Sequence, residues 1–276
     1  LQSALNTHPD AVFITTPNAY HAPAVLQCME RAVPVFCEKP LATSLAQASR
    51  VRDAVRRAGV VFQMGHNRRF TPAYRACRRI LTQGLKPYSA SIIKNDAHLR
   101  QPAWGANPAQ TGGLLYNGTV HALDAALWLL GTADEVYCTA RSGVYPDLDN
   151  LSLTLRFSSG AVATVSTCGH ASGLRPSERL AIYGDHAAVV LEDLDSVSHA
   201  PGPDQPIVAY DFRQLPMEQR WGYAQEDLAF VDALSGESAV EVGIEEGYRV
   251  VELIEACYRS AREGRPVLVS AQAQSV

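Results

Sequence analysis

Two clusters of polar residues in this chain have the types and spacing for chemistry. The first is Glu38-Lys39-Pro40, which ends a short apolar run containing Val33, Val35 and Phe36. Proline cannot donate to a sheet ladder and biases the residue before it towards extended backbone. The charged pair therefore stands at the carboxyl end of a strand, the edge where open α/β sheets bind ligands. An ammonium group there can stabilise negative charge that develops on a bound oxygen. The second cluster is Asn117, His121 and Asp124, at i, i+4 and i+7 of a helix. An apolar stripe of Val120, Leu123, Leu127 and Leu130 runs beside it, so the polar stripe belongs at a cleft wall. Taken singly, Glu38 and Lys39 read more readily as a solvated loop pair, and His121 as a structural histidine.

The elements that must position these groups follow from periodicity. Residues 11 to 16 read as a buried strand broken by Pro17 and Asn18, with a helix from His21 to Ala32 behind it. The strand around Val35 comes next, then a helix from Leu45 to Ala58, capped by Thr43 or Ser44 and ended by Gly59. Val60 to Met64 is a third strand. Strand-helix repeats of this length imply a parallel sheet with right-handed crossovers. Thr71 to Gln83 is a basic helix with Arg75, Arg78 and Arg79 facing out, and Ser89 to Asn95 opens a new strand. The loop from 97 to 112 contains Arg100 and Trp104 and is long enough to cover a substrate. From 134 to about 212 alternation dominates, with hairpins at Ser158-Ser159-Gly160 and at Gly184-Asp185. Helices over Gly222 to Leu234 and Ile244 to Arg262 close the chain.

In this order and at these separations, four segments resemble the Gfo/Idh/MocA family of nicotinamide-dependent sugar and polyol oxidoreductases. They are Ala11 to His21, Glu38-Lys39-Pro40, Gly65 to Phe70, and Gly112 to Asn117 with His121 and Asp124. The resemblance implies a fold that is α/β plus α+β. A partial, parallel Rossmann domain over 1–70 would precede an open antiparallel-sheet domain over 71–276 with helices on one face. It implies NAD or NADP as cofactor, contacted through Thr15, Pro17, Asn18, His21, Glu38, Lys39 and Asn67. It assigns Lys39 to the substrate oxygen and His121 to general acid/base work, with Arg100 and Trp104 as further substrate contacts. The family's acidic residue four positions before that histidine is Asn117 here, which can orient an imidazole but carries no charge. Asp124 is the candidate to supply that charge. None of the 19 glycines has another two residues away, so a G-x-G-x-x-G fingerprint is absent. The resemblance implies that about two β-α units of such a domain would precede Leu1.

Composition narrows the alternatives. With 276 residues, 47% hydrophobic and 19% charged, the chain can bury a sizeable core in one or two domains. A net charge of −4 gives no electrostatic reason to expect nucleic acid or an anionic membrane as partner. The six cysteines are scattered, as in a cytoplasmic protein with reduced thiols, and no histidine spacing marks a metal site. The expected partner is a carbohydrate-like small molecule, and the flat outer face of the large sheet is expected to join copies in a homo-oligomer. Two other functions stay open. One is a binding relative that has lost turnover; the other is an NAD-assisted glycosidase.

Overall fold

The computed structural model describes residues 1–96, 104–171, 173 and 177–270. After a short helix α1 (Gln2–Leu5), three parallel strands β1 (Val12–Ile14), β2 (Val35–Glu38) and β3 (Phe62–Gly65) lie in that order in a small sheet. Helices α2 (His21–Met29) and α3 (Leu45–Ala58) make the crossovers. Helix α2 stops three residues before the sequence pattern ends, because Ala32 takes a positive φ of 52° and Val33 N–H turns back to Cys28 O. Ser44 is the cap of α3, its Oγ accepting from Gln47 N–H at 3.3 Å, and Gly59 ends the helix with φ 63°. Thr71 caps α4 (Pro72–Thr82) in the same way, and Tyr74, Cys77 and Ile80 on its inner face are buried.

The rest of the chain builds a nine-stranded sheet from β4 (Ser89–Asn95), β5 (Ala133–Arg141), β6 (Asn150–Phe157), β7 (Val162–Cys168), β8 (Glu178–Tyr183), β9 (Ala188–Glu192), β10 (Ser196–Ala200), β11 (Val208–Asp211) and β12 (Val267–Leu268). Its order is β11-β10-β9-β8-β4-β7-β6-β5-β12. Every neighbouring pair is antiparallel except β4 and β7, which run parallel from Ser89 beside Val162 to Asn95 beside Cys168. Alternation sets the two faces: Leu151, Leu153 and Leu155 are buried, while Ser152, Thr154 and Arg156 between them are exposed.

The remaining helices are α5 (Pro108–Thr111), α6 (Val120–Leu130), α7 (Met217–Arg220), α8 (Tyr223–Ser235) and α9 (Ile244–Glu263). Helix α4 lies over β9 and β10, and α9 over β5. Helix α9 also reaches the small sheet, where Gly247 stands so close to Met64 that a Cβ would meet its Cγ at 2.8 Å. On that sheet α8 contributes Phe230, whose ring packs edge-on to Phe13 and Phe36 at 5.2 and 5.8 Å. The two sheets thus share one continuous apolar core. All six cysteines are free, no helix among the described residues is long and apolar enough to cross a membrane, and no group of His, Cys, Asp and Glu among those residues could hold a metal ion.

Candidate active site

The carboxyl ends of β2 and β4 open on a cleft of about 410 Å³. Lys39, Arg68, Lys94, Asp96, Asn117 and His121 line it, with Glu178, Trp221 and Tyr223 among the other walls. Lys39 follows directly on β2, and its Nζ donates to the backbone carbonyl of Asn117 at 2.8 Å. Burial pushes its pKa below the ordinary lysine value, while Glu38 and then Asp96 pull against that shift. Across the cleft, burial drives the His121 imidazole well below its usual range, and the cations Arg68, Lys39 and Lys94 add to the effect. Its Nδ1 is buried with no partner among the described residues. The imidazole, shifted towards its neutral form, and the Lys39 side chain line the same cleft. That combination can take a proton from a hydroxyl and stabilise the oxygen left behind.

The segment before α6 departs from a regular helix. Residues Leu115–Thr119 form a π turn, whose hydrogen bonds step five residues where an α-helix steps four. The turn alters the step from Asn117 to His121, while His121 and Asp124 keep their i, i+3 relation inside α6. Asn117 and His121 line the cleft, whereas Asp124 is fully buried behind it. Its carboxylate accepts from Arg69, from Nε at 3.1 and 3.0 Å and from Nη2 at 2.7 Å. Asp124 thus pairs with Arg69 where it was expected to support His121. At i, i+3 the His121 and Asp124 side chains point about 60° apart around α6, and Asp124 meets Arg69 behind the cleft. Nδ1 of His66 lies 3.8 Å from the same carboxylate, and burial lowers the His66 pKa.

The other positions marked in the sequence fall as follows. Thr15 is exposed and Pro17 half-buried at the end of β1. Buried Asn18 donates from Nδ2 to Thr111 O at 3.0 Å. His21 is clamped between Pro40 O and Thr16 O, each 2.7 Å from a ring nitrogen, which ties the β1 loop to the Lys39-Pro40 turn. Glu38 Oε2 accepts from Lys39 N–H at 3.1 Å, and burial raises its pKa. Asn67 donates to Trp221 O at 3.0 Å and so holds one wall of the cleft. Trp104 lies in a turn whose carbonyl accepts from Asn107, and it is not among the cleft-lining residues. Arg100 lies outside the described residues.

Several cleft residues were not marked in the sequence. Buried Arg68 forms a pair with Glu178, Nη2 to Oε2 at 2.8 Å, and Tyr74 Oη adds a bond to Glu178 at 2.9 Å. Lys94 is buried and bonds to Asp96 Oδ1 at 2.7 Å. A signal for both existed. Lys94 falls in step with buried Ala90 and Ile92, and Glu178 with buried Leu180 and Ile182. A charge in phase with the core at a strand end needs a buried partner. Trp221 and Tyr223 flank Gly222, where φ is 82° and a Cβ would lie 2.4 Å from Asn67 O. No pattern in the sequence pointed to them.

Two family models match nearly the whole chain. One, described as an oxidoreductase family NAD-binding Rossmann fold, covers residues 1–66; the other, its C-terminal alpha/beta domain, covers 87–269. The chain belongs to the Gfo/Idh/MocA oxidoreductase family. Among its relatives, inositol 2-dehydrogenase 2 of Saccharopolyspora erythraea is 31% identical over 95% of this chain and 78% of its own length. D-glucoside 3-dehydrogenase of Escherichia coli is 26% identical over 95% of this chain and 80% of its own. A levoglucosan dehydrogenase solved with NADH and L-sorbose superposes with a TM-score of 0.88 at 22% identity, covering 98% of this chain and 83% of that one. The oxidoreductase class and the NAD-binding character of the small sheet follow from this membership. Thr15 follows β1 and Glu38 ends β2, so both stand at the carboxyl edge of the parallel sheet, and Glu38 is next in sequence to Lys39.

Proposed function

We propose that the protein oxidises a secondary hydroxyl of a sugar or polyol to a ketone, or runs the reverse reaction, with NAD or NADP as hydride carrier. The single observation that carries this reading is that Lys39, after β2, and His121, on α6, line one polar cleft of about 410 Å³ at the carboxyl edge of the parallel strands. Thr15, Pro17, Glu38 and Lys39 would hold the cofactor's nicotinamide end, with Asn18, His21 and Asn67 fixing the loops around it. When bound, the nicotinamide supplies the hydride acceptor. His121, neutral because burial and neighbouring cations disfavour its charged form, takes the hydroxyl proton. Lys39 stabilises the oxygen as the carbonyl forms, and Arg68, Lys94 and Glu178 offer the charged groups that order a polyhydroxylated ligand. The relatives that act on inositol and on D-glucosides, and the neighbour solved with L-sorbose, support this substrate class.

The same reading divides the chain near residue 70 into a cofactor part and a substrate part. It also assigns the exposed face of β5, β6 and β7, where Tyr137 and Val162 are exposed, to contact between copies of the chain. Reduced-nicotinamide absorbance, followed with NAD and NADP against myo-inositol, D-glucosides and 1,6-anhydrosugars, tests the reaction. Growth of the signal with at least one compound is expected. Glycoside cleavage with no net change in the cofactor pool would replace the reading with the glycosidase one, and sugar binding without either would replace it with the binding one.

A further inference from the structure

We propose that Asp96 is the carboxylate of the catalytic cluster, placed at the end of β4 to hold Lys39 as an ammonium in a site that has an amide at position 117. The inference deepens the reading above, from which it takes Lys39 as the working cation.

Three observations converge on Asp96. It is fixed from two sides: its backbone N–H donates to Cys168 O at 2.8 Å, and Lys94 Nζ binds its Oδ1 at 2.7 Å. Its Oδ2 is buried and has no hydrogen-bond partner among the described residues. An anionic oxygen in that state is costly unless nearby positive charge offsets it. Finally, Oδ2 sits in a notch made by Gly118. A Cβ at Gly118 would lie 1.7 Å from Oδ2, closer than any side chain permits. The backbone of Gly118 is not in the left-handed region, so its conformation does not call for glycine. The carboxylate does.

The notch places Asp96 against the Asn117–Gly118 peptide, and Lys39 Nζ is bonded to the carbonyl of that same peptide. Lysine and carboxylate thus approach one peptide unit from β2 and β4. The groups that act on Lys39 are Glu38 on β2, Arg68 after β3, Lys94 and Asp96 at the end of β4, with His21, His66 and His121 around them. Arg68 and Lys94 disfavour a further cation, as burial does. Of the two carboxylates that favour it, Glu38 is bonded to the Lys39 backbone N–H and is itself driven by burial towards its neutral form. Asp96 shares the cleft with the ammonium group and is oriented by a buried lysine.

The test reads Lys39 directly and needs neither cofactor nor substrate. The rate of Lys39 acetylation by acetic anhydride, followed by peptide mass spectrometry across pH, gives the midpoint of its titration. Removing a nearby carboxylate destabilises the ammonium, so in Asp96→Asn the midpoint should fall by about half a unit or more. Gly118→Ala, which forces the carboxylate out of the notch, should lower it in the same direction. Adding Asn117→Asp to Asp96→Asn restores a carboxylate beside the same peptide and should raise the midpoint again. An unchanged midpoint in a folded Asp96→Asn protein would overturn the proposal. So would a lowered midpoint that Asn117→Asp fails to recover, which would mark the effect as general disturbance. Should Asp96→Asn lose the fold, Gly118→Ala alone decides. A protein inert towards every polyol would defeat the oxidoreductase reading and leave these titrations to stand by themselves.

Discussion

The Lys39 ammonium and the backbone carbonyl of Asn117 meet at 2.8 Å, a bond between the end of β2 and the π turn ahead of α6. It spans 78 residues of sequence and joins the parallel sheet to the segment that carries His121. The bond uses one of the ammonium group's three donors, on a side chain that lines the cleft.

If Lys39 and His121 act on one reacting carbon, each matters for turnover more than for cofactor capture. Lys39→Ala and His121→Ala should each lower kcat by roughly a hundredfold or more, the usual scale for a lost electrostatic or acid/base group. The dissociation constant for NAD, measured by calorimetry, should change far less. Equal losses in both quantities would place the two residues in binding alone.

The pH profile of kcat follows from the same two groups. His121 must be neutral to accept a proton, and its pKa lies well below the ordinary 6.5. Activity should therefore persist below pH 6.5 and fall only as the imidazole finally charges. Lys39 must be protonated, and its pKa is shifted below the ordinary 10.5, so the alkaline limb should arrive earlier than for a solvated lysine. Stopped-flow single turnover across pH would show both limbs. An acid limb centred near 6.5 would assign the base to some other group.

The buried pair Arg69–Asp124 makes a stability prediction. Arg69→Met or Asp124→Leu alone leaves one charge without its partner in the core and should cost about 3–5 kcal/mol. The double variant should be much closer to wild type, because replacing both charges with apolar groups of similar size removes the penalty. Urea denaturation of the four proteins measures the coupling.

Asp149 fixes the turn before β6 by accepting backbone N–H bonds from Gly143, Val144 and Tyr145 at 2.7, 2.6 and 2.8 Å. Burial pushes its pKa up, but these bonds outweigh burial and hold it below the ordinary 3.8. A carboxylate depressed on folding stabilises above its unfolded pKa and loses that contribution as pH falls through its folded value. Asp149→Asn should thus melt earlier than wild type at neutral pH. The difference should shrink as pH drops below about 3.8, which thermal melts across the acid range can follow.

Local rules made much of the frame legible. The caps at Ser44 and Gly59, the hairpin at 158–160 and the alternation of β6 are decided by residues close in sequence, and periodicity reads those. Lys39 was legible because proline stops its strand. Asp124 was misplaced because its partner, Arg69, lies 55 residues away in sequence, and helical spacing cannot show such a partner. Arg68, Glu178, Lys94 and Asp96 were missed as well. Arg68 and Glu178 pair across 110 residues of sequence, and Lys94 and Asp96 meet at the end of a strand whose burial phase was not followed to its last residues.

The parallel pairing of β4 with β7 has a consequence for how the molecule is made. β4 is the first strand of the large sheet to be synthesised, yet it lies between β7 and β8, which begin at Val162 and Glu178. Its ladder on either side cannot close until a long stretch of chain has followed it, and non-local pairings of this kind are slow to form. The β5–β6 and β6–β7 pairings close shorter loops and can precede it. Lys94 and Asp96 ride on the last turn of that waiting strand, so the polar end of the cleft is among the final parts to take shape. A nascent chain halted before Cys168 would carry both Lys39 and His121 and still lack the wall against which a sugar could be held.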